Sequence, residues 1–151
     1  MTNINNTILQ SLGSGLVGAC ALTVLHETAR QFIDDAPRAD ILGMRAIKKV
    51  MKKVDEEPPA DDKLHDWALG GDVLSNTLYY SLIGLTKPEN ALVTGAALGL
   101  AAGVGAVALP GPMGLGTAPS QRTPATAAMT IGWYLVGGLA TAGAYLWLKR
   151  R

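Results

Sequence analysis

Residues 90–109 read NALVTGAALGLAAGVGAVAL and contain no charged side chain. A helix rises ~1.5 Å per residue, so a stretch of this length crosses the ~30 Å hydrocarbon core of a bilayer. Residues 7–25 and 127–148 are similarly long, apolar and rich in glycine. Such stretches would pack poorly in a soluble core, whereas in lipid small residues let helix backbones approach closely. The pattern therefore predicts a polytopic helical membrane protein.

A fourth stretch, residues 64–85, is also apolar but carries Asp72 and Asn76 in its interior. We expect it to be the second of four spans. The predicted fold is thus an all-α integral membrane protein, a compact bundle of four transmembrane helices that forms a single membrane domain over residues 1–151. The alternative is a three-span protein in which residues 64–85 lie flat on the membrane or form a re-entrant segment.

Residues 39–54 predict an amphipathic helix, because apolar and basic side chains recur there with a helical period. The apolar side is formed by Ile47, Val50, Met51 and Val54, and the basic side by Arg45, Lys48, Lys49, Lys52 and Lys53. A basic amphipathic helix often lies in the membrane interface, with its charges toward anionic headgroups. The alternative is a solvated helix that packs against the underside of the protein.

The distribution of basic residues predicts the orientation. Most Lys and Arg lie in the loop of residues 26–63, and the positive-inside rule assigns such a loop to the cytoplasm. With four spans, both termini would then lie outside a cytoplasmic (inner) membrane. The basic tail, residues 149–151, argues against this arrangement, and the three-span alternative would bring that tail inside.

The second predicted span carries a polar face. Its members, His65, Asp72, Asn76 and Tyr79 or Tyr80, recur at helical spacing and so lie on one side of the helix. An ionisable residue within a span usually faces the bundle interior or a water-filled cavity, and no predicted span offers a Lys or Arg to pair with Asp72. We expect this face to bind a lipid, a small amphiphile or an ion. The alternative is a hydrogen-bonded clamp between helices.

A second set of polar residues lies where the first span ends and the second begins. His26 and Glu27 close the first span, His65 and Asp66 open the second, and both ends must lie at the same membrane face. Imidazole and carboxylate groups together can bind a divalent metal or act as general acid and base. The alternative function is therefore a membrane-embedded enzyme acting at the cytoplasmic headgroup layer, with these four residues as possible metal ligands.

Gly95, Gly99 and Gly103 form two overlapping small-xxx-small motifs, which favour close helix contact within one protomer or between protomers. A third possible function is thus a structural subunit, with a homo-oligomer formed through this face. No phosphate-binding loop, zinc-finger spacing or Ser-His-Asp pattern is present. Nucleic-acid binding is disfavoured because the only basic stripe lies on the membrane-tethered helix. Cys20 is the only cysteine, which excludes an intramolecular disulfide.

Overall fold

The computed structural model describes residues 4–150, which form helices and short connections and contain no β-strand. The α-helices are α1 (Ile4–Ala29), α2 (Ala39–Lys53), α3 (Asp61–Tyr80), α4 (Ala91–Ala108), α5 (Ala118–Gln121) and α6 (Pro124–Lys149). Two short 3-10 helices, Ser81–Leu85 and Pro88–Asn90, connect α3 to α4. Arg151, the last residue of the predicted basic tail, lies outside the described residues.

Three helical segments are long and apolar enough to cross a membrane: α1, α4 with the 3-10 turn that precedes it, and α6. Helix α3 is not among them, because its first two turns carry Asp61, Asp62, Lys63 and Asp66. The predicted second span, residues 64–85, begins inside α3 and ends in the following 3-10 helix. By length and composition the described residues therefore contain three candidate spans, and the fourth span of the predicted bundle is not established.

Helix α6 lies at the centre of the molecule and packs against α4 by direct backbone contact. Gly95 and Gly99 on α4 face α6, and a Cβ atom added to either would meet the α6 backbone at Gly138 or at Tyr134. The glycine face predicted for close contact is therefore used within the protomer. A homo-oligomer formed through the same face would require α4 to separate from α6.

Helix α1 packs in the same way against another face of α6, about 100° around the helix from α4. A Cβ atom on Gly18 would collide with Thr141 and with the carbonyl oxygen of Gly137. Nearer the end of α1, the ring of His26 packs edge-on against that of Trp133, with the ring centres 5.1 Å apart. Helices α1 and α6 are thus antiparallel and in contact over most of their length.

Helix α3 packs along the remaining side of α1, also antiparallel to it. Gly15 on α1 faces the α3 backbone at Thr77 and Ser81, and Gly84 faces the side chain of Ser11. In contrast, α3 and α4 barely touch. The hydroxyl of Tyr79 donates a 2.9 Å hydrogen bond to the carbonyl of Leu98, which joins α3 and α4 near their connected ends. Toward the other end they diverge.

Helix α2 covers the diverging ends of α3 and α4. Its Gly43 lies against Ala68 of α3, and Arg45 donates a 2.7 Å hydrogen bond to the carbonyl of Leu115 in the loop after α4. Lys49 donates to the carbonyl of Met113 in the same loop. The predicted amphipathic helix at residues 39–54 is therefore present, as Ala39–Lys53. Ile47 of its predicted apolar side lies toward α3 and α4, whereas Val50 and Val54 are 62% and 63% exposed.

We predict that Gly138→Ala destabilises the protein by about 2 kcal/mol, because the added methyl group would collide with the backbone of α4. The matched control is Gly143→Ala on the same helix, where a Cβ atom meets nothing within 4 Å. The control should change stability by at most ~1 kcal/mol, the gain expected from helix propensity. Reversible unfolding in mixed micelles measures both. Equal effects of the two substitutions would contradict the proposed backbone contact.

Candidate functional site

The divergence of α3 and α4 leaves an open groove, here called the α3–α4 groove, with a volume of about 780 Å³. This volume lies within the ~300–1,000 Å³ typical of small-molecule sites. The polar residues that line it are Asp72, Ser75, Asn76, Tyr79 and Tyr134. The rest of the lining consists of alanine, glycine, leucine, isoleucine, methionine and proline side chains from α2, α3, α4 and the loop after α4.

Small side chains on α4 explain why the groove exists. Three glycines of α4, at positions 95, 99 and 103, face α6. The side of α4 that lines the groove carries Ala101, Ala102, Gly105 and Ala106. None of these residues reaches far enough to fill the space between diverging helices. The groove is therefore a consequence of the sequence of α4 as much as of the polar residues on α3.

Asp72 and Asn76 form a hydrogen-bonded pair on the α3 side of the groove. The Asn76 amide donates to the main-chain carbonyl of Asp72 at 2.9 Å and to its Oδ1 at 3.0 Å. Tyr134 lines the groove together with both side chains. Within residues 4–150 no Lys or Arg forms an ion pair with Asp72, and its Oδ2 receives no hydrogen bond. One carboxylate oxygen of Asp72 thus remains open to a ligand.

The structure brings together three of the five residues predicted to form the polar face. Asp72, Asn76 and Tyr79 line the groove, whereas His65 and Tyr80 do not. His65 lies two turns before Asp72, at the level of α2, and its Nδ1 is 3.8 Å from the carboxylate of Asp40. Tyr80 points about 100° away from Tyr79 around the helix, where it is fully buried.

The four residues predicted as metal ligands are not brought together. In the described part of the chain no three His, Cys, Asp or Glu side chains are placed to hold a metal ion. Glu27 forms a 2.6 Å ion pair with Arg30, while His26 faces the aromatic rings of α6. His65 contacts α2, and Asp66 is exposed on the other side of α3. The end of α1 and the start of α3 do lie at the same end of the molecule, but the four side chains point in different directions.

A second, much smaller cavity adjoins the groove, and sequence reasoning missed it. We call it the polar chamber; its volume is about 10 Å³ and it lies between α1, α2 and α3. Its polar lining consists of Thr23, His26, Glu27, Arg30, Asp40 and Asp72. The α1 members recur every three or four residues, which is the one signal in the sequence that could have indicated a shared polar face.

Two side chains of the polar chamber are buried without hydrogen-bond partners. His26 is only 5% exposed, and neither of its ring nitrogens has a partner among the described residues. The hydroxyl oxygen of Thr23 is likewise buried and unpaired within residues 4–150. Leaving a buried polar group unpaired costs about 1–3 kcal/mol. The chamber is therefore suited to a group that can hydrogen bond to His26 and Thr23.

The outer wall of the polar chamber is a network of ion pairs. Arg30 lies 2.6 Å from Glu27 and 3.3 Å from Asp40, and Arg38 lies 2.7 Å from Asp40. Burial of Asp40 disfavours its ionised form, but the hydrogen bond and positive charge of Arg38, with a backbone N–H and Arg30, outweigh burial. The pKa of Asp40 is consequently lowered from its ordinary value. The network contains two carboxylates and two guanidinium groups, so its net charge is zero.

The chain thus combines three helices able to cross a membrane with a large apolar groove and a small polar chamber that meet at Asp72. Comparison with protein-family models, with curated proteins and with solved structures gives no match. Its function is therefore inferred from the chemistry of these two cavities.

We predict that the packing of α2 weakens in acid because of Asp40. The unfolded chain has an aspartate pKa of ~3.9 and the folded protein a lower one, so ionised Asp40 stabilises the fold above that value. This stabilisation is lost as the pH falls through the lower, folded-state pKa. Hydrogen exchange of the α2 amides in detergent micelles, measured as a function of pH, tests this expectation.

The matched variants for this experiment are Asp40→Asn and Asp62→Asn. Asp40→Asn should reduce protection of α2 at neutral pH and diminish its loss in acid, since the carboxylate that pairs with Arg38 is no longer there to be protonated. Asp62 is exposed on the first turn of α3, and its substitution should leave the wild-type profile unchanged. If the protein with Asp40→Asn retains the full acid-dependent loss of protection, the assignment to Asp40 is wrong.

Proposed function

We propose that the protein is an integral membrane protein that binds the apolar chain of an amphiphile in the α3–α4 groove, with Asp72 as the principal polar contact. The observation that carries this proposal is the groove itself. Its volume is about 780 Å³, its wall is mostly apolar, and it contains a carboxylate without a cationic partner in the described residues.

The exposed surface supports a membrane location. Large apolar side chains are exposed on helices α1 and α4, among them Ile8, Leu9, Val24, Leu92 and Val93. An exposed apolar surface of this extent is unfavourable in water but is the normal outer surface of a helix in lipid. Together with the three helices able to cross a bilayer, it favours membrane insertion.

The packing of α3 supports a fourth crossing. Helix α3 and the 3-10 helix after it run antiparallel to α1, from Ala68 beside the polar chamber to Gly84 beside Ser11. They therefore cover the same depth as the central part of α1. If α1 crosses the bilayer, residues 64–85 cross it as well, and their polar side chains are tolerated because Asp72 and Asn76 face a cavity.

The basic residues favour an orientation with α2 in the cytoplasm. Helix α2 and the loop that contains Arg122 lie at the same end of the molecule as the end of α1, and Arg122 pairs with Asp35 at 3.2 Å. Most of the Lys and Arg are therefore collected at this end. The positive-inside rule then favours a cytoplasmic membrane in which this end faces the cytoplasm.

The size and lining of the groove favour an amphiphile over a bare ion. A cavity of about 780 Å³ is far larger than any single ion requires, and its apolar lining offers no cage of oxygen ligands. Within a bilayer, close van der Waals packing against such a wall would favour binding of the hydrocarbon, because lipid tails are equally apolar. One polar group at Asp72 would then fix the position of the ligand in the groove.

We predict that Gly71→Leu weakens amphiphile binding by roughly tenfold or more, the equivalent of ~1.4 kcal/mol. Gly71 lines the groove, and a Cβ atom there meets nothing within 4 Å, so leucine fills the groove without disturbing the backbone. The matched control is Gly70→Leu, the neighbouring residue, which has the same free space but lines a different surface of α3.

Binding can be measured as the lipid that co-purifies with the protein and as the affinity of an alkyl-chain probe in detergent. Both substitutions replace glycine by leucine on one helix, so their effects on helix propensity are alike. The proposed function requires that only Gly71→Leu reduces binding. Equal binding by the wild-type protein and both variants, with unchanged thermal stability, would exclude the groove as the site.

A further inference from the structure

We propose that the polar end of the ligand is a protonated primary amine, which binds Asp72 at the junction of the α3–α4 groove and the polar chamber and donates hydrogen bonds to Thr23 and His26. This inference rests on the proposed function of the groove, because the apolar chain attached to the amine would occupy it. It adds the chemical class of the headgroup.

The two cavities adjoin at the place where this amine would bind. Both are lined by Ala39, Ala68 and Asp72, so a group at the Asp72 carboxylate touches both of them. From Asp72 to Tyr79, where α3 and α4 are joined, α3 rises about 10 Å. A single hydrocarbon chain can therefore extend along the groove from a head at Asp72.

Charge is the first reason to choose a cation. The acids of the polar chamber other than Asp72 are Glu27 and Asp40, and both are paired with arginines. Asp72 alone has no ionic partner in the described part of the chain. A ligand with one positive charge would balance it, whereas an anionic headgroup would be repelled by a carboxylate at close range.

The number of available acceptors is the second reason. A primary ammonium group has three N–H donors and no acceptor. The junction offers three acceptors: Oδ2 of Asp72, the hydroxyl oxygen of Thr23 and one nitrogen of neutral His26, none of which has a donor among the described residues. An ammonium at this position can therefore donate all three hydrogen bonds. It would pair the Thr23 hydroxyl and one ring nitrogen of His26, while the other ring nitrogen and Nε of Arg30 keep no partner among the described residues.

The size of the polar chamber distinguishes a primary amine from bulkier cations. Its volume of about 10 Å³ is close to the ~10–15 Å³ that one water molecule requires. An ammonium group is of similar size, whereas a trimethylammonium group is larger and has no N–H to donate. The chamber should therefore exclude quaternary amines even though they carry the same charge.

Four probes with the same hydrocarbon chain test this inference: dodecylamine, dodecyltrimethylammonium, dodecanol and lauric acid. Each competes with the alkyl-chain probe for the full-length protein in detergent at neutral pH. We expect dodecylamine to bind roughly tenfold or more tightly than each of the others, a difference of ~1.4 kcal/mol. Equal binding of dodecylamine and dodecyltrimethylammonium would overturn the proposal, because charge alone would then explain the affinity.

Two substitutions test the residues. Asp72→Asn should remove the preference for dodecylamine over dodecanol while leaving dodecanol binding nearly unchanged. Thr23→Val should reduce the preference by several-fold, since it keeps the shape of the side chain and removes one acceptor. The matched control is Thr77→Val, because the Thr77 hydroxyl is also buried and unpaired in the described residues but lies outside the chamber. A preference unaffected by both Asp72→Asn and Thr23→Val overturns the proposal.

The outcomes separate this inference from the proposed function. If all four probes bind equally and Gly71→Leu abolishes their binding, the groove binds hydrocarbon chains and the amine proposal alone is wrong. If none of the probes binds, the proposed function fails as well. Nanodiscs of phosphatidylethanolamine and phosphatidylcholine then identify the source of the amine. Selective retention of phosphatidylethanolamine indicates a lipid headgroup, and binding of dodecylamine without such retention indicates a free amine.

Discussion

Backbone contact between α6 and its two neighbours is the constraint on which the rest of this structure depends. Gly18 of α1 and Gly95 of α4 approach two faces of α6, about 100° apart, so closely that neither position has room for a methyl group. These contacts hold α1, α6 and α4 side by side. Helix α3 then packs along its length against α1, with α2 over its first turns, and the space between α3 and α4 does not close. The large groove is thus produced by tight packing elsewhere.

The polar residues of this region fall into two groups, one that joins helices and one that has no ionic partner in the described residues. At the outer end of the polar chamber Arg30, Arg38, Glu27 and Asp40 neutralise one another, and this network ties α1 to α2. One turn deeper, Asp72 has the support of Asn76 but no counter-charge in the described residues. A network that holds the fold together and a carboxylate left available to a ligand therefore lie within one small region.

The features that depend on local pattern could be predicted from the sequence. The helical class, the amphipathic helix near residues 39–54 and the shared face of Asp72, Asn76 and Tyr79 all follow from helical periodicity. The choice of neighbours could not be predicted, because it depends on which helices meet. That choice turned the α4 glycines inward, separated His65 from Asp72, and brought residues of three helices together as the polar chamber.

The hydrogen bond from Tyr79 to Leu98 has a further consequence for the proposed site, because it closes the groove partway along α3. The open part, about 16 Å long from Ala68 to Tyr79 and adjacent to α2, spans only half of a ~30 Å hydrocarbon core. In the proposed orientation, the open part of the groove begins at the cytoplasmic end of the span, so a bound chain would enter from the cytoplasmic leaflet. The protein would therefore respond to the composition of one leaflet and be insensitive to the other.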